Sequence, residues 1–356
     1  MGFCYRNVTK GKTNIKEDII DYVKKFYVIT RKVIDAKKLL LTKENIGNAD
    51  ETPIFMEMNA KKTLSLIGEK DISVKTFNKS HTRISVMLTI LGNGKSLKPF
   101  VVFSGKPNGP KEKKLKSHPK VLSGYIYVCC QEKSWVDEST IRKYLNDIWF
   151  KEGIYKRTRN TLLVMDRARS HFSDAINKLF EKIVQIMYLF LGLTSALQPL
   201  DIHINKIFKA NVRNEYHNWL INTKEATITD DNVIGFIYNA WYKTDQKHKE
   251  KIIEKPFRDN GITLKTDGSE DSEFLKIPNE FIDQMKNEYN ELESYENNNI
   301  MEENVENDEE NIPLYINNHC ISNVSQNNNK DAPKFKENIL YYLKKQSQSE
   351  AMDIEE

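Results

Sequence analysis

No run of 18 apolar residues occurs in this 356-residue sequence, which excludes a membrane-spanning helix. The opening residues, MGFCYRNVTKGK, have no apolar core of the kind a secretory signal requires. MGFCYR also lacks the Ser or Thr at the sixth position that N-myristoylation needs. Cysteine is scarce. Cys4, the adjacent Cys129 and Cys130, and the distant Cys320 match neither a disulfide framework nor a zinc site. These absences point to an intracellular protein with ordinary reduced thiols and no membrane partner. A phosphate-binding loop is missing too. GNGKS (92–96) resembles the end of one, but that loop needs a Gly five residues before Gly94, where Thr89 stands. It also needs a helix to follow, whereas here another apolar run follows, so GNGKS reads as a turn.

What is present is a strong division of charge. The chain carries +4 overall, yet Lys286 to Glu356 holds 16 acidic and 6 basic residues. Residues 1–285 therefore hold 48 basic against 34 acidic side chains, a net of +14. A basic body with an acidic tail suits a polyanionic partner, although charge of this size also serves plain solubility.

The length allows a sizeable core and one to three domains. Residues 14–40 are expected to be helical, with Asn14 and Glu17 as an N-terminal capping pair and Ile15, Ile19, Val23, Phe26 and Tyr27 at helical spacing. From Ile46 the pattern changes to short strands. One lies near IGNADETPIF. RISVMLTIL (83–91) and LKPFVVF (97–103) flank the Gly-containing turn as a hairpin, and GYIYVCC (124–130) is a further strand. DESTIRKYLNDIWF aligns Ile141, Tyr144, Leu145 and Ile148 on one helical face after Asp137 as cap. TLLVMD (161–166) is a buried strand, and Ile204, Phe208, Val212, Tyr216 and Trp219 form the stripe of a long helix. Asp201 is expected on the first turn of that helix, facing inward. This order predicts an α/β fold, a mixed sheet flanked by helices. A smaller helical segment follows to about residue 285. Beyond it Asn and Glu dominate, and apolar residues are too sparse to offset ordering entropy. The expected domains are a helical lead-in (1–45), a core (46–222), a helical extension (223–285) and an acidic, Asn-rich disordered tail (286–356).

Three aspartates share one kind of setting. Asp50 lies at the end of the first strand segment, Asp166 ends the buried strand, and Asp201 opens the helix after LQPL. Carboxyl ends of neighbouring strands and an adjacent helix start can converge on one pocket. Three carboxylates that close repel one another unless a cation sits between them. Hard divalent ions such as Mg²⁺ or Mn²⁺ take oxygen ligands and bind phosphates beside carboxylates. Two such ions about 3.5–4 Å apart support in-line displacement at a phosphodiester. The basic body would then hold a phosphate backbone. Each Asp taken alone is more readily an N-cap or a turn residue.

IGNADETPIF, LLVMDRARSHF and LTSALQPLDIHINKIFK, in that order, resemble the DDE-type transposases of the pogo, Tigger and jerky group, within the mariner–pogo superfamily. Asp166 and Asp201 are separated by 34 residues, an interval usual in that superfamily. DRARSH is similar to the mariner DNARPH pattern, departing from it at Arg167 and Ser170. QEKSWVDE (131–138) and AWYK…EKPFRDNGI…DGSEDSE (240–273) extend the resemblance over roughly residues 40–275. It implies a ribonuclease-H-like catalytic core whose Asp50, Asp166 and Asp201 bind two Mg²⁺ or Mn²⁺ ions and cut or join DNA. Arg169 and His171 would contact phosphate or order the loop. It also implies nuclear localisation, to which the basic stretch KPNGPKEKKLKSHPK (106–120) could add an import signal or a DNA contact, though such runs are more often solvated loops. A homodimer and a protein partner for the acidic tail are further expectations.

The chain also departs from the family. Only about 45 residues precede GNADETP, and a single helix cannot rebuild tandem helix-turn-helix modules, so sequence-specific end recognition is expected to be lacking. LFLGLTS (189–195) is apolar where relatives often carry a Pro-Gly-Gly turn. Two readings stay open: a metal-dependent DNA endonuclease and strand transferase, or a non-catalytic, transposase-derived DNA-binding protein.

Overall fold

The computed structural model describes residues 17–36, 38–58, 81–152, 161–166, 185–189, 197–223, 227–242, 246–275 and 279–302. They fall into two compact units, one of residues up to Val33 together with those from Ile277 onward, the other Ile34–Lys276.

In the first unit the helix Glu17–Ala36 buries Val23, Phe26 and Tyr27, three of the residues expected on its apolar face. The helix Asn279–Glu302 buries Ile282, Met285 and Tyr289. Lys32 lies over the Tyr289 ring at 4.3 Å, and Lys24 donates to Gln284 at 3.0 Å. This helix runs past residue 285, where the composition draws the start of a disordered tail. Average polarity hides the reason: Ile282, Met285 and Tyr289 recur at helical spacing, a stripe that suffices to bury one face.

The second unit is built on a six-stranded sheet in the order β4-β3-β2-β1-β5-β6. Its strands are β1 (Ile46–Phe55), β2 (Arg83–Leu91), β3 (Phe100–Ser104), β4 (Tyr127–Gln131), β5 (Leu162–Asp166) and β6 (Gln185–Leu189). β1, β2 and β3 are antiparallel neighbours, β1, β5 and β6 run parallel, and β4 pairs parallel with β3. A central antiparallel trio continued by two parallel strands is the ribonuclease-H-like arrangement, extended here by β4 at one edge. The mixed α/β sheet expected from the sequence is therefore the observed fold, and β6 is an addition to it.

The turn between β2 and β3 closes with Leu91 N on Lys95 O at 2.8 Å and Gly94 N on Leu91 O at 3.0 Å. Gly94 has φ of 86°, a value glycine adopts without steric cost, so GNGKS is a turn. The stretch 106–120 is no plain loop. Pro110 and Pro119 start the short helices Pro110–Lys116 and Pro119–Leu122, where a proline's missing N–H costs nothing.

One sheet face carries the main core. Ala49, Met87, Phe100, Val102, Leu163 and Met165 pack with Ile141, Tyr144, Ile148 and Trp149 from the helical segment that starts at Glu138. Asp137 caps that segment in a capping box with Thr140. Gly47 is small because the Trp149 ring fills the place a Cβ would take, at 2.5–2.6 Å. The opposite face is covered by the π-turn Leu200–Ile204 and the helix Gln246–Asp259. The π-turn leads into the helix Asn205–Asn222, which buries Phe208, Val212 and Tyr216 and packs Phe208 against Trp241 of the helix Asp230–Tyr242.

Candidate metal-binding carboxylate site

Side chains alternate across a strand. Ala49, Leu163 and Met165 point into the main core, so Asn48, Asp50, Val164 and Asp166 point to the other face. The parallel register pairs Asn48 with Val164, and two residues further along each strand come Asp50 and Asp166. The two aspartates thus stand side by side where β5 ends. Asp50 is the fifth residue of ten-residue β1, not its end. The strand continues because its other neighbour, β2, pairs with it as far as Phe55.

The third aspartate reaches this face through a π-turn. Asp201 belongs to Leu200–Ile204, ahead of the helix proper, and is exposed instead of inward-facing. Asp201 lies over Asn205, four residues on, from whose amide it accepts a hydrogen bond at 3.0 Å.

Two asparagines tie the three elements together. Asn48 is fully buried, donates through Nδ2 to Val164 O at 2.9 Å, and accepts Leu200 N on Oδ1 at 2.9 Å. One amide therefore links the strand bearing Asp50 to the strand bearing Asp166 and to the residue before Asp201. Asn205, also buried, donates from Nδ2 to Asp50 Oδ2 at 2.5 Å and to Asp201 Oδ1 at 3.0 Å. The fully buried Gln198 amide lies close enough to Asp50 to favour its ionised form, although neither of its polar atoms closes a hydrogen bond of full geometry. A third asparagine, Asn260, donates to Leu197 O at 2.7 Å and anchors the chain just ahead of the turn.

The electrostatics are strained. Asp50 is pushed up to about 7, first by burial and then by the negative charges of Asp201 and Asp166. The Asn205 and Gln198 amides act the other way without reversing the shift. Among the described residues, no three carboxylate, imidazole or thiol groups stand close enough to hold one ion as they are. The donor chemistry nevertheless suits a hard divalent cation. All the ligating atoms are oxygens, and the repulsion that drives Asp50 toward its neutral form is removed when positive charge sits among them.

Sequence reasoning singled out the three aspartates as residues that can converge on one pocket. It missed Asn48, Gln198, Asn205 and Asn260, whose partners are distant in the chain. A usable signal was an asparagine inside an apolar strand, a poor strand former kept where its amide bonds outside the ladder. Arg169 and His171, and most of LFLGLTS, lie outside the described residues.

Residues 81–254 match the family described as DDE superfamily endonuclease, a span that includes Asp166 and Asp201 and begins after Asp50. The chain is 33% identical over 178 residues to the mouse protein named pogo transposable element with KRAB domain. It is 30% identical over 177 residues to the human protein of that name. Each match covers 49% of this chain, and the chain spans 28% of the length of either relative. Among solved structures, the Mos1 mariner paired end complex with Mn has a TM-score of 0.46 at 14% identity, covering 72% of this chain and 65% of that one. The same complex with Mg has a TM-score of 0.43 at 12% identity, covering 78% and 69%. Residues 81–254 of this chain are thus similar to the DDE superfamily endonucleases, and about half of the chain is similar to the pogo relatives.

Proposed function

We propose that the protein is a transposase-derived endonuclease that cleaves, and can join, DNA phosphodiesters with the help of divalent metal ions. The observation that carries this reading is that Asp50 and Asp166 lie side by side on one sheet face with Asp201 near enough to act on Asp50, which is pushed up first by burial and then by the charges of Asp201 and Asp166. These carboxylates would hold Mg²⁺ or Mn²⁺, which supplies an activated hydroxyl and charge stabilisation at the leaving oxygen. The chain's own part is to present three anionic oxygen donors on a rigid sheet, with Asn48, Gln198 and Asn205 fixing their aim. The basic body would hold the DNA backbone by phosphate contacts that carry no sequence information. A nuclear location goes with a chromosomal substrate, and a homodimer and an acidic-tail partner belong to the same reading.

One observation favours a second reading. No ready-made group of three ligands exists among the described residues, as expected of a relative that binds DNA without cutting it. Supercoiled plasmid incubated with the full chain and Mn²⁺ separates the two. Nicked product from the wild type, lost in Asp166→Ala, supports the endonuclease. Salt-dependent DNA binding without nicking by either protein supports the non-catalytic protein and overturns the first reading.

A further inference from the structure

The groups that set the geometry of a carboxylate cluster matter as much as the carboxylates, because like charges left free turn away from one another or take up protons. In this protein Asp50 and Asp201 differ sharply in freedom. Asp50 is buried in the middle of a strand, while Asp201 is exposed on a turn and open to solvent. Among the described residues, the Asn205 amide is the hydrogen-bonded link between the two side chains. Its two N–H groups are spent on one oxygen of each carboxylate.

Asn205 is itself buried and its Oδ1 has no hydrogen-bond partner, and the fully buried Gln198 amide beside Asp50 closes no bond of full geometry at either atom although it lies close enough to favour the ionised carboxylate. Unpaired buried amide atoms are costly, and here they border the same carboxylate. The arrangement is therefore poorly explained as packing alone. An apolar side chain of the same size at position 205 would fill the space without an orphaned oxygen.

We propose that Asn205 is a positioning residue for divalent-cation binding: its amide holds the Asp201 carboxylate against Asp50 so that both present oxygens to one ion. This rests on the carboxylate site proposed above and adds a residue that lies outside the carboxylate set. Asn205 acts through Asp50 and Asp201 and is not assigned a bond to the metal. Its position on the first turn of a helix whose stripe is packed by Phe208 and Val212 makes it a firm mount for an exposed carboxylate. Partners one shell out from a metal orient its ligands, and losing one commonly costs about 10–100-fold in metal affinity.

Titration calorimetry of the full chain with Mn²⁺ tests this, comparing wild type, Asn205→Leu and Asn211→Ala at one fixed pH. Asn205→Leu keeps the branched heavy-atom outline and removes both donors, and Asn211→Ala alters a half-buried polar residue further along the same helix, away from the carboxylates. The expected result is at least about a 10-fold weaker Mn²⁺ affinity for Asn205→Leu, with Asn211→Ala unchanged. Circular dichroism checks that each variant is folded. Equal affinity of wild type and Asn205→Leu overturns the proposal while leaving the carboxylate site standing. No Mn²⁺ binding by the wild type instead fails the carboxylate site, and this proposal with it. Should Asn205→Leu not fold, Asn205→Ser, whose hydroxyl is too short to span both carboxylates, is read by the same criterion.

Discussion

The side-chain oxygen of Asn48 accepts the backbone N–H of Leu200 at 2.9 Å, across 152 residues of sequence. The amide nitrogen of the same residue donates to Val164 O at 2.9 Å, so one buried side chain sets the spacing of three elements that each carry an aspartate. Replacing it with alanine strands a buried N–H and a buried carbonyl, each costing about 1–3 kcal/mol. Asn48→Ala is therefore expected to lower unfolding stability by about 2–4 kcal/mol in urea denaturation. It should also weaken Mn²⁺ binding, because the Asp201 turn loses its anchor. A loss below about 0.5 kcal/mol would show that water or a neighbour replaces both bonds.

Gly47 is constrained by packing instead of by backbone angle. A Cβ there meets Trp149 ring carbons at 2.5 and 2.6 Å, and Trp149 is buried among Tyr144, Leu145 and Ile148 with little room to turn. Gly47→Ala is expected to cost about 1–3 kcal/mol, the usual penalty of overpacking a close-packed core. Urea denaturation gives the loss, and near-ultraviolet circular dichroism should report the displaced indole. Asn214→Ala, at an exposed position of the helix Asn205–Asn222, serves as a control with little change.

The cysteine pair should be chemically quiet. Burial pushes Cys129 up to about 12 and raises Cys130 as well. Thiols react as thiolates, so neither should be titrated by a disulfide reagent at about pH 8 while the protein is folded. In a chain carrying Cys4→Ser and Cys320→Ser, the expected outcome is no reaction in buffer and two equivalents in denaturant. Rapid reaction in buffer would mean that β4, at the sheet edge, opens readily.

Strands β1 to β5 were legible because each is a short apolar or β-branched run bounded by turn residues. The helix after Asp137 was legible from its cap. β6 was not, since IVQIMYLFL is uniformly apolar and periodicity cannot separate a buried strand from a buried helix in such a run. The π-turn holding Asp201 has no sequence signature, so the exposure of that residue could not be read from the apolar stripe of the helix that follows. The aspartates could be picked out because a carboxylate after an apolar run is costly and asks for a reason. The asparagines beside them could not, because Asn48 and Asn205 find partners 116 to 155 residues away and an isolated asparagine ordinarily signals only a turn.

Asp50 gives the site a pH signature of its own. In the folded, cation-free chain it keeps its proton up to about 7, against 3.8 for the unperturbed group, because of burial and then the charges of Asp201 and Asp166. Between those values the folded state binds more protons than the unfolded state, so stability falls as pH rises. The contribution is full below the unfolded value and gone once pH has passed the folded one. The slope from this single group cannot exceed about 1.4 kcal/mol per pH unit. Denaturation in EDTA from about pH 4 to 8, for wild type and Asp50→Asn, isolates the effect because other titrating groups are common to both. The expected outcome is a wild-type stability that declines relative to Asp50→Asn across that window, with the decline reduced by Mn²⁺. Parallel curves in EDTA would mean that Asp50 ionises normally, so that in solution it is neither as desolvated nor as close to the other two charges as the structure places it. A decline that Mn²⁺ leaves untouched would mean that they converge but do not take up the ion.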